Sequence, residues 1–119
     1  MGSVYVTVKL SRPGVKLPYE GLFLVDTGAT DSMAPSGVLK ELGFEARGKM
    51  PYELANGELA EYEFTLADIE FMGEITSGRI VMGPDKAEPL LGVTALESVG
   101  IIVDPTNRQL KRLPAIPLK

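Results

Sequence analysis

Apolar and polar positions alternate over residues 4–10 (Val-Tyr-Val-Thr-Val-Lys-Leu), a pattern rich in β-formers that predicts a first strand. Ser11-Arg12-Pro13-Gly14 is turn chemistry, and a second strand is expected over residues 19–25. Pro35-Ser36 opens a short helical pattern in which Val38, Leu39 and Leu42 are apolar and Gly43 is placed as the stop. Across residues 50–64 the pattern is that of a hairpin. Asn56-Gly57 suits a type I′ turn, which needs positive φ at both positions, and Glu58/Leu59, Glu61/Tyr62 and Glu63/Phe64 alternate after it. Residues 66–72 and 75–82 predict two further strands with a turn near Gly73, followed by a loop over 84–89. Leu90-Leu91-Gly92-Val93-Thr94 leads into a second short helix over 95–100, again stopped by glycine. Residues 101–104 form a strand ended by Pro105, and 106–119 have the pattern of an edge strand or arm. A faint repeat relates Leu39-Lys40-Glu41-Leu42-Gly43-Phe44 to Leu96-Glu97-Ser98-Val99-Gly100-Ile101.

The run Gly21-Leu22-Phe23-Leu24-Val25-Asp26-Thr27-Gly28-Ala29-Thr30-Asp31 organises this pattern. Four apolar residues lead into a carboxylate, and Gly28 frees the backbone for a sharp turn. Asp26 thus sits at the end of a core strand, partly shielded from water. An acid there needs hydrogen-bond donors, a cation, or a second carboxyl that shares its proton. The chain has no histidine and no cysteine, which removes imidazole bases, thiolate nucleophiles and the usual zinc shells. A carboxylate-centred hard-metal site or carboxyl acid–base chemistry remains. No acidic cluster has calcium-loop spacing, so no metal is expected.

Composition changes this picture little. The 119 residues suffice for one domain spanning 1–119, and 45 % hydrophobic with 24 % charged residues is ordinary for a globular protein. A net charge of −4 argues against nucleic acid as the partner. No apolar run reaches membrane-spanning length, and no signal-peptide pattern opens the chain. Met1-Gly2 invites N-myristoylation, but Val6 stands where that motif wants Ser or Thr. The lack of cysteine fits a reducing, cytoplasmic setting.

Leu24-Val25-Asp26-Thr27-Gly28-Ala29-Thr30 resembles the active-site loop of aspartic proteases, with Ala29 typical of the retropepsin-like branch. The order of features is similar over most of the chain: an Asp-Thr-Gly loop after the second strand, a central hairpin or flap turning at Asn56-Gly57, and Leu90-Leu91-Gly92 before a late helix. The small cellular and prokaryotic members are the nearer likeness. Val93 stands where many viral members carry Arg, and Thr30 where they often carry an acid, so their dimer contacts and specificity do not transfer.

The resemblance implies an all-β, retropepsin-like barrel with one or two short helices, forming half of a two-fold dimer. It implies an aspartic endopeptidase without cofactor, acting on extended polypeptides. Asp26 would be catalytic, Thr27 and Gly28 would support the loops, and Ala29, Thr30, Ala55, Asn56, Gly57 and Leu91 would bind substrate. Only one Asp-Thr-Gly is present. Val103-Asp104-Pro105-Thr106 cannot imitate the loop, because Pro105 lacks the amide and fixes φ, so a homodimer contributing Asp26 twice is expected. A non-catalytic dimeric peptide-binding or assembly module on the same fold is the alternative. Asp31, Asp68 and Asp104 read as turn or surface acids.

Overall fold

The computed structural model describes residues 3–118. The Met1-Gly2 pair and Lys119, the last residue of the expected arm, lie outside them. Strands hold 51 % of the described residues and helices 11 %, so the all-β expectation holds.

Among the described residues, nine strands and two short helices run in the order β1 (Tyr5–Ser11), β2 (Tyr19–Asp26), β3 (Ser32–Pro35), α1 (Ser36–Leu42), β4 (Gly48–Glu53), β5 (Leu59–Phe71), β6 (Glu74–Gly83), β7 (Leu90–Gly92), α2 (Val93–Ser98), β8 (Ile101–Asp104) and β9 (Gln109–Arg112). The main sheet has the order β1-β2-β7-β3-β6-β5-β4, and a β1–β5 pairing closes six of its strands into a barrel with β4 outside. Closure leaves no free edge among those six. The β2–β7 and β3–β6 pairs are parallel and the others antiparallel.

Alternation explains the core. Val8 and Leu10 from β1, Phe23 from β2, Ala67, Ile69 and Phe71 from β5, and Ile80 and Met82 from β6 are all buried. Leu39 of α1 and Leu96 of α2 close over this core, together with Phe44 and Ile101 just after each helix. These are equivalent positions of the repeat, so the sequence likeness corresponds to like burial. At the end of α1 the Phe44 amide donates to the Leu39 carbonyl (2.9 Å) and the Gly43 amide to that of Lys40 (3.1 Å). This doubly bonded stop uses Gly43 at φ 106°.

Four sequence expectations change. Residues 32–35 form strand β3 ahead of the helix, held by parallel pairing to β6 that only the folded chain supplies. The strands expected on either side of Thr65 are one 13-residue strand, β5, whose first part pairs with β4 and whose last part pairs with β1. Helix α2 begins at Val93, two residues before the expected start. Finally, the hairpin at Asn56-Gly57 is not type I′. Gly57 has φ 87° but Asn56 is not among the positive-φ residues. The Gly57 amide donates to the Leu54 carbonyl (2.8 Å) and the Leu54 amide to that of Glu58 (2.7 Å), a three-residue loop closed by a glycine bulge. The doubly positive turn lies instead at Met72-Gly73 (φ 53° and 77°), between β5 and β6.

The edge strand foreseen after residue 106 is β9, paired with β8 in a separate two-stranded sheet. Its Arg112 donates to the Met72 carbonyl, and the Leu113 amide donates to the Gly100 carbonyl (2.8 Å). Among the described residues, no helix is long and apolar enough to cross a membrane.

Candidate active site

The apolar run into Asp26 makes β2 an inner strand, flanked by β1 and β7, so its carboxyl terminus is delivered to one end of the barrel. Register places Asp26 beside Gly92, the last residue of β7. The chain then turns sharply, with the Ala29 amide donating to the Asp26 carbonyl (3.1 Å) and the Gly28 amide to Asp26 Oδ1 (3.0 Å). Among the described residues, Gly28 is the single hydrogen-bond donor to that carboxylate. Asp26 is half-buried, while Thr27, Gly28 and Thr30 are exposed and Ala29 is half-buried. Asp26, Thr27, Gly28, Ala29 and Thr30 are therefore presented together on one loop.

The far side of this loop is fastened to the start of α2. The Val93 amide donates to the Ala29 carbonyl (2.8 Å) and the Thr94 amide to the Thr30 carbonyl (3.2 Å). Buried Ser32 accepts the Gly92 amide on its Oγ (3.0 Å). Backbone crosses backbone so closely that a Cβ on Gly92 would lie 2.7 Å from the Asp31 carbonyl carbon and 2.8 Å from the Thr30 oxygen. Glycine is required here by space, since its φ of −85° is open to any residue. Leu91, expected among the substrate-binding residues, is 0 % exposed and packs in the core, so its side chain supports the loop from beneath.

The β4–β5 hairpin presents two faces. Met50, Tyr52, Ala60, Tyr62 and Phe64 are half-buried, whereas Lys49, Pro51, Glu53, Leu59 and Glu61 are exposed. Ala55, Asn56 and Gly57 form the exposed tip. The tip is organised by Asn56, which accepts the Glu58 amide on Oδ1 (3.0 Å).

A link that local reasoning did not supply joins this hairpin to the loop. Tyr52 donates its phenolic hydrogen to Asp31 Oδ2 at 2.8 Å. Burial pushes the Tyr52 phenol up to about 12; the hydrogen bond to Asp31 and its negative charge add to this, and the Arg79 guanidinium acts in the opposite direction. Arg79 also lies over the Phe64 ring, 5.0 Å from its centroid. Asp31, read from sequence as a turn or surface acid, is thus a partner of the hairpin. The half-buried alternation of Met50 and Tyr52 was a usable signal for Tyr52; nothing adjacent to Asp31 announces a partner 21 residues away.

Asp104 provides a contrast. Its Oδ1 accepts the Thr106 amide (2.9 Å) and its Oδ2 the Asn107 side-chain amide (2.9 Å). The Asn107 side chain first, then the Asn107 and Thr106 amides, hold its carboxyl below the usual 3.8. Asp104 is a turn acid, as expected.

A closed six-stranded barrel with an Asp-Thr-Gly loop beside a glycine-ended inner strand defines the retropepsin-like class of all-β proteins. The chain belongs to the family described as gag-polyprotein putative aspartyl protease, whose pattern its residues 19–98 match. Membership supports a protease, a hydrolase of peptide bonds. No match to a curated protein accompanies it.

Proposed function

We propose that this chain is an aspartic endopeptidase whose working form is a two-fold homodimer, with Asp26 contributed once by each subunit. The observation that carries the reading is the state of Asp26. It ends an inner strand, accepts one local amide on Oδ1, and stands on an exposed, tightly fastened loop. Two such carboxyls about 3 Å apart across a symmetry axis share one proton. The ionised member takes a proton from the attacking water, and the protonated member stabilises the developing oxyanion by hydrogen bonding. Thr27 and Gly28 hold the loops in register, and Ala29 and Thr30 line the cleft. The β4–β5 hairpin acts as the flap, with Ala55, Asn56 and Gly57 supplying backbone hydrogen bonds to an extended polypeptide. Leu91 acts from below, through packing.

The test is cleavage of a denatured protein or peptide library from about pH 3 to 7, comparing wild type with Asp26→Asn and adding a statine-type inhibitor. Expected is cleavage abolished by both, from a protein that sediments as a dimer. A folded dimer that cleaves nothing at any pH would instead be a peptide-binding module. Cleavage that survives Asp26→Asn would place the chemistry elsewhere.

A further inference from the structure

Strand β4 is the outermost strand of the main sheet and pairs with β5 alone. Among the described residues its hairpin tip bonds only to itself, through Leu54, Asn56, Gly57 and Glu58. At the base, Lys40 of α1 meets Glu63 at 3.3 Å, but their side chains are 56 % and 38 % exposed, and a pair so open to solvent holds weakly. The contact joining the hairpin to the Asp26 loop is the part-buried bond from the Tyr52 hydroxyl to Asp31 Oδ2 (2.8 Å). A phenol donating to a carboxylate makes a charge-assisted bond, stronger than a neutral pair. Its acceptor belongs to a segment that cannot easily follow a moving hairpin: the preceding residues are bonded to α2, and the following Ser32 begins β3. Arg79, whose guanidinium acts on the same phenol, is placed over Phe64 where β5 leaves the barrel.

We propose that Tyr52 is a latch holding the β4–β5 hairpin down on the Asp26 loop through Asp31, and is thereby a positioning residue for the peptide substrate. The catalytic half of this inference rests on the endopeptidase reading; the latch itself does not. With the latch broken, the hairpin loses its part-buried tie to the barrel, and because a two-stranded ribbon is marginal by itself its ladder opens more often and it closes over the cleft a smaller fraction of the time. Substrate then binds less tightly while chemistry on bound substrate is preserved.

The test uses the full-length protein with Tyr52→Phe, Asp31→Ala, their double variant, and Glu61→Gln on the exposed face of the hairpin as control. Amide hydrogen exchange over residues 54–59 without substrate should quicken about tenfold in each single variant. It should be no faster in the double variant and unchanged in Glu61→Gln. Unaltered exchange in Tyr52→Phe, or single effects that multiply in the double variant, would overturn the latch. In peptide cleavage, Tyr52→Phe should raise KM about tenfold and leave kcat within about twofold. A fall in kcat at unchanged KM would overturn the positioning role. Wild type that cleaves nothing would remove the endopeptidase reading and the positioning role with it, while the exchange data would still decide the latch.

Discussion

Gly92→Ala isolates the geometry of the candidate active site with one methyl group. The backbone conformation of Gly92 suits alanine, so any cost is spatial. The new Cβ would stand 2.7 Å from both the carbonyl carbon and oxygen of Asp31 and 2.8 Å from the Thr30 oxygen. All three are backbone atoms, so no side chain can rotate to make room. Either the loop carrying Asp26 lifts or α2 retreats, and overpacking of this kind costs about 1–3 kcal/mol. Displacing Gly92 also strains the bond its amide makes to buried Ser32, and a buried donor left without its acceptor costs about 1–3 kcal/mol more. The expected loss is therefore about 2–5 kcal/mol, read as a lower urea midpoint at unchanged m-value. Gly78→Ala is the control, since its nearest neighbour would be Ile69 Cδ1 at 4.0 Å, and it should gain about 0.5 kcal/mol. Gly92→Ala within about 0.5 kcal/mol of wild type would refute the close-crossing argument.

Two buried hydroxyls should respond in opposite senses in the same denaturation assay. Thr65 Oγ1 is wholly buried with no hydrogen-bond partner among the described residues, so isosteric Thr65→Val should stabilise by about 1 kcal/mol, whereas Ser32→Ala should cost about 1–3 kcal/mol by orphaning the Gly92 amide. Helix α1 has Pro35 at its N-cap and no cap from its own chain segment; Asp85 accepts the Gly37 amide instead (2.7 Å), so Asp85→Ala should cost about 1 kcal/mol by thermal melting. The Tyr52 phenol keeps its proton to about pH 12 when folded, against 10.0 when free, so its stabilising contribution is whole below pH 10 and disappears as pH rises toward 12. The stability difference between wild type and Tyr52→Phe, measured by urea titration, should therefore narrow over that interval; a constant difference would contradict the hydrogen-bonded phenol.

Much of the barrel was legible because its signals are local. Alternation in residues 4–10, the apolar run into Asp26 and the Leu39/Leu42/Gly43 pattern each specify an element without help from afar, and the Asp-Thr-Gly loop falls where its strand ends. What escaped is held together by distant partners. Ser32-Met33-Ala34-Pro35 has little strand character of its own and is a strand because β6 and β7 lie on either side of it. The continuity of β5 through Thr65 depends on β6 running alongside. At Asn56-Gly57 the dipeptide predicted a hairpin correctly but the wrong turn, because a third residue, Ala55, joined the loop. The tie from Tyr52 to Asp31 joins a strand edge to a loop, which neither periodicity nor turn chemistry encodes.

The order β2-β7-β3 has a consequence for how the protein is made. Two strands that are close in sequence are separated in space by one that begins at Leu90. While a ribosome is still adding the residues before Leu90, β2 has nothing on its Asp26 side, and the loop lacks both Gly92 to cross and the Val93 and Thr94 amides to bind. The Asp26 loop is thus among the last parts of the domain to take shape during synthesis. A nascent chain carries the Asp-Thr-Gly residues early but cannot hold them in their folded arrangement until the late strand has been inserted.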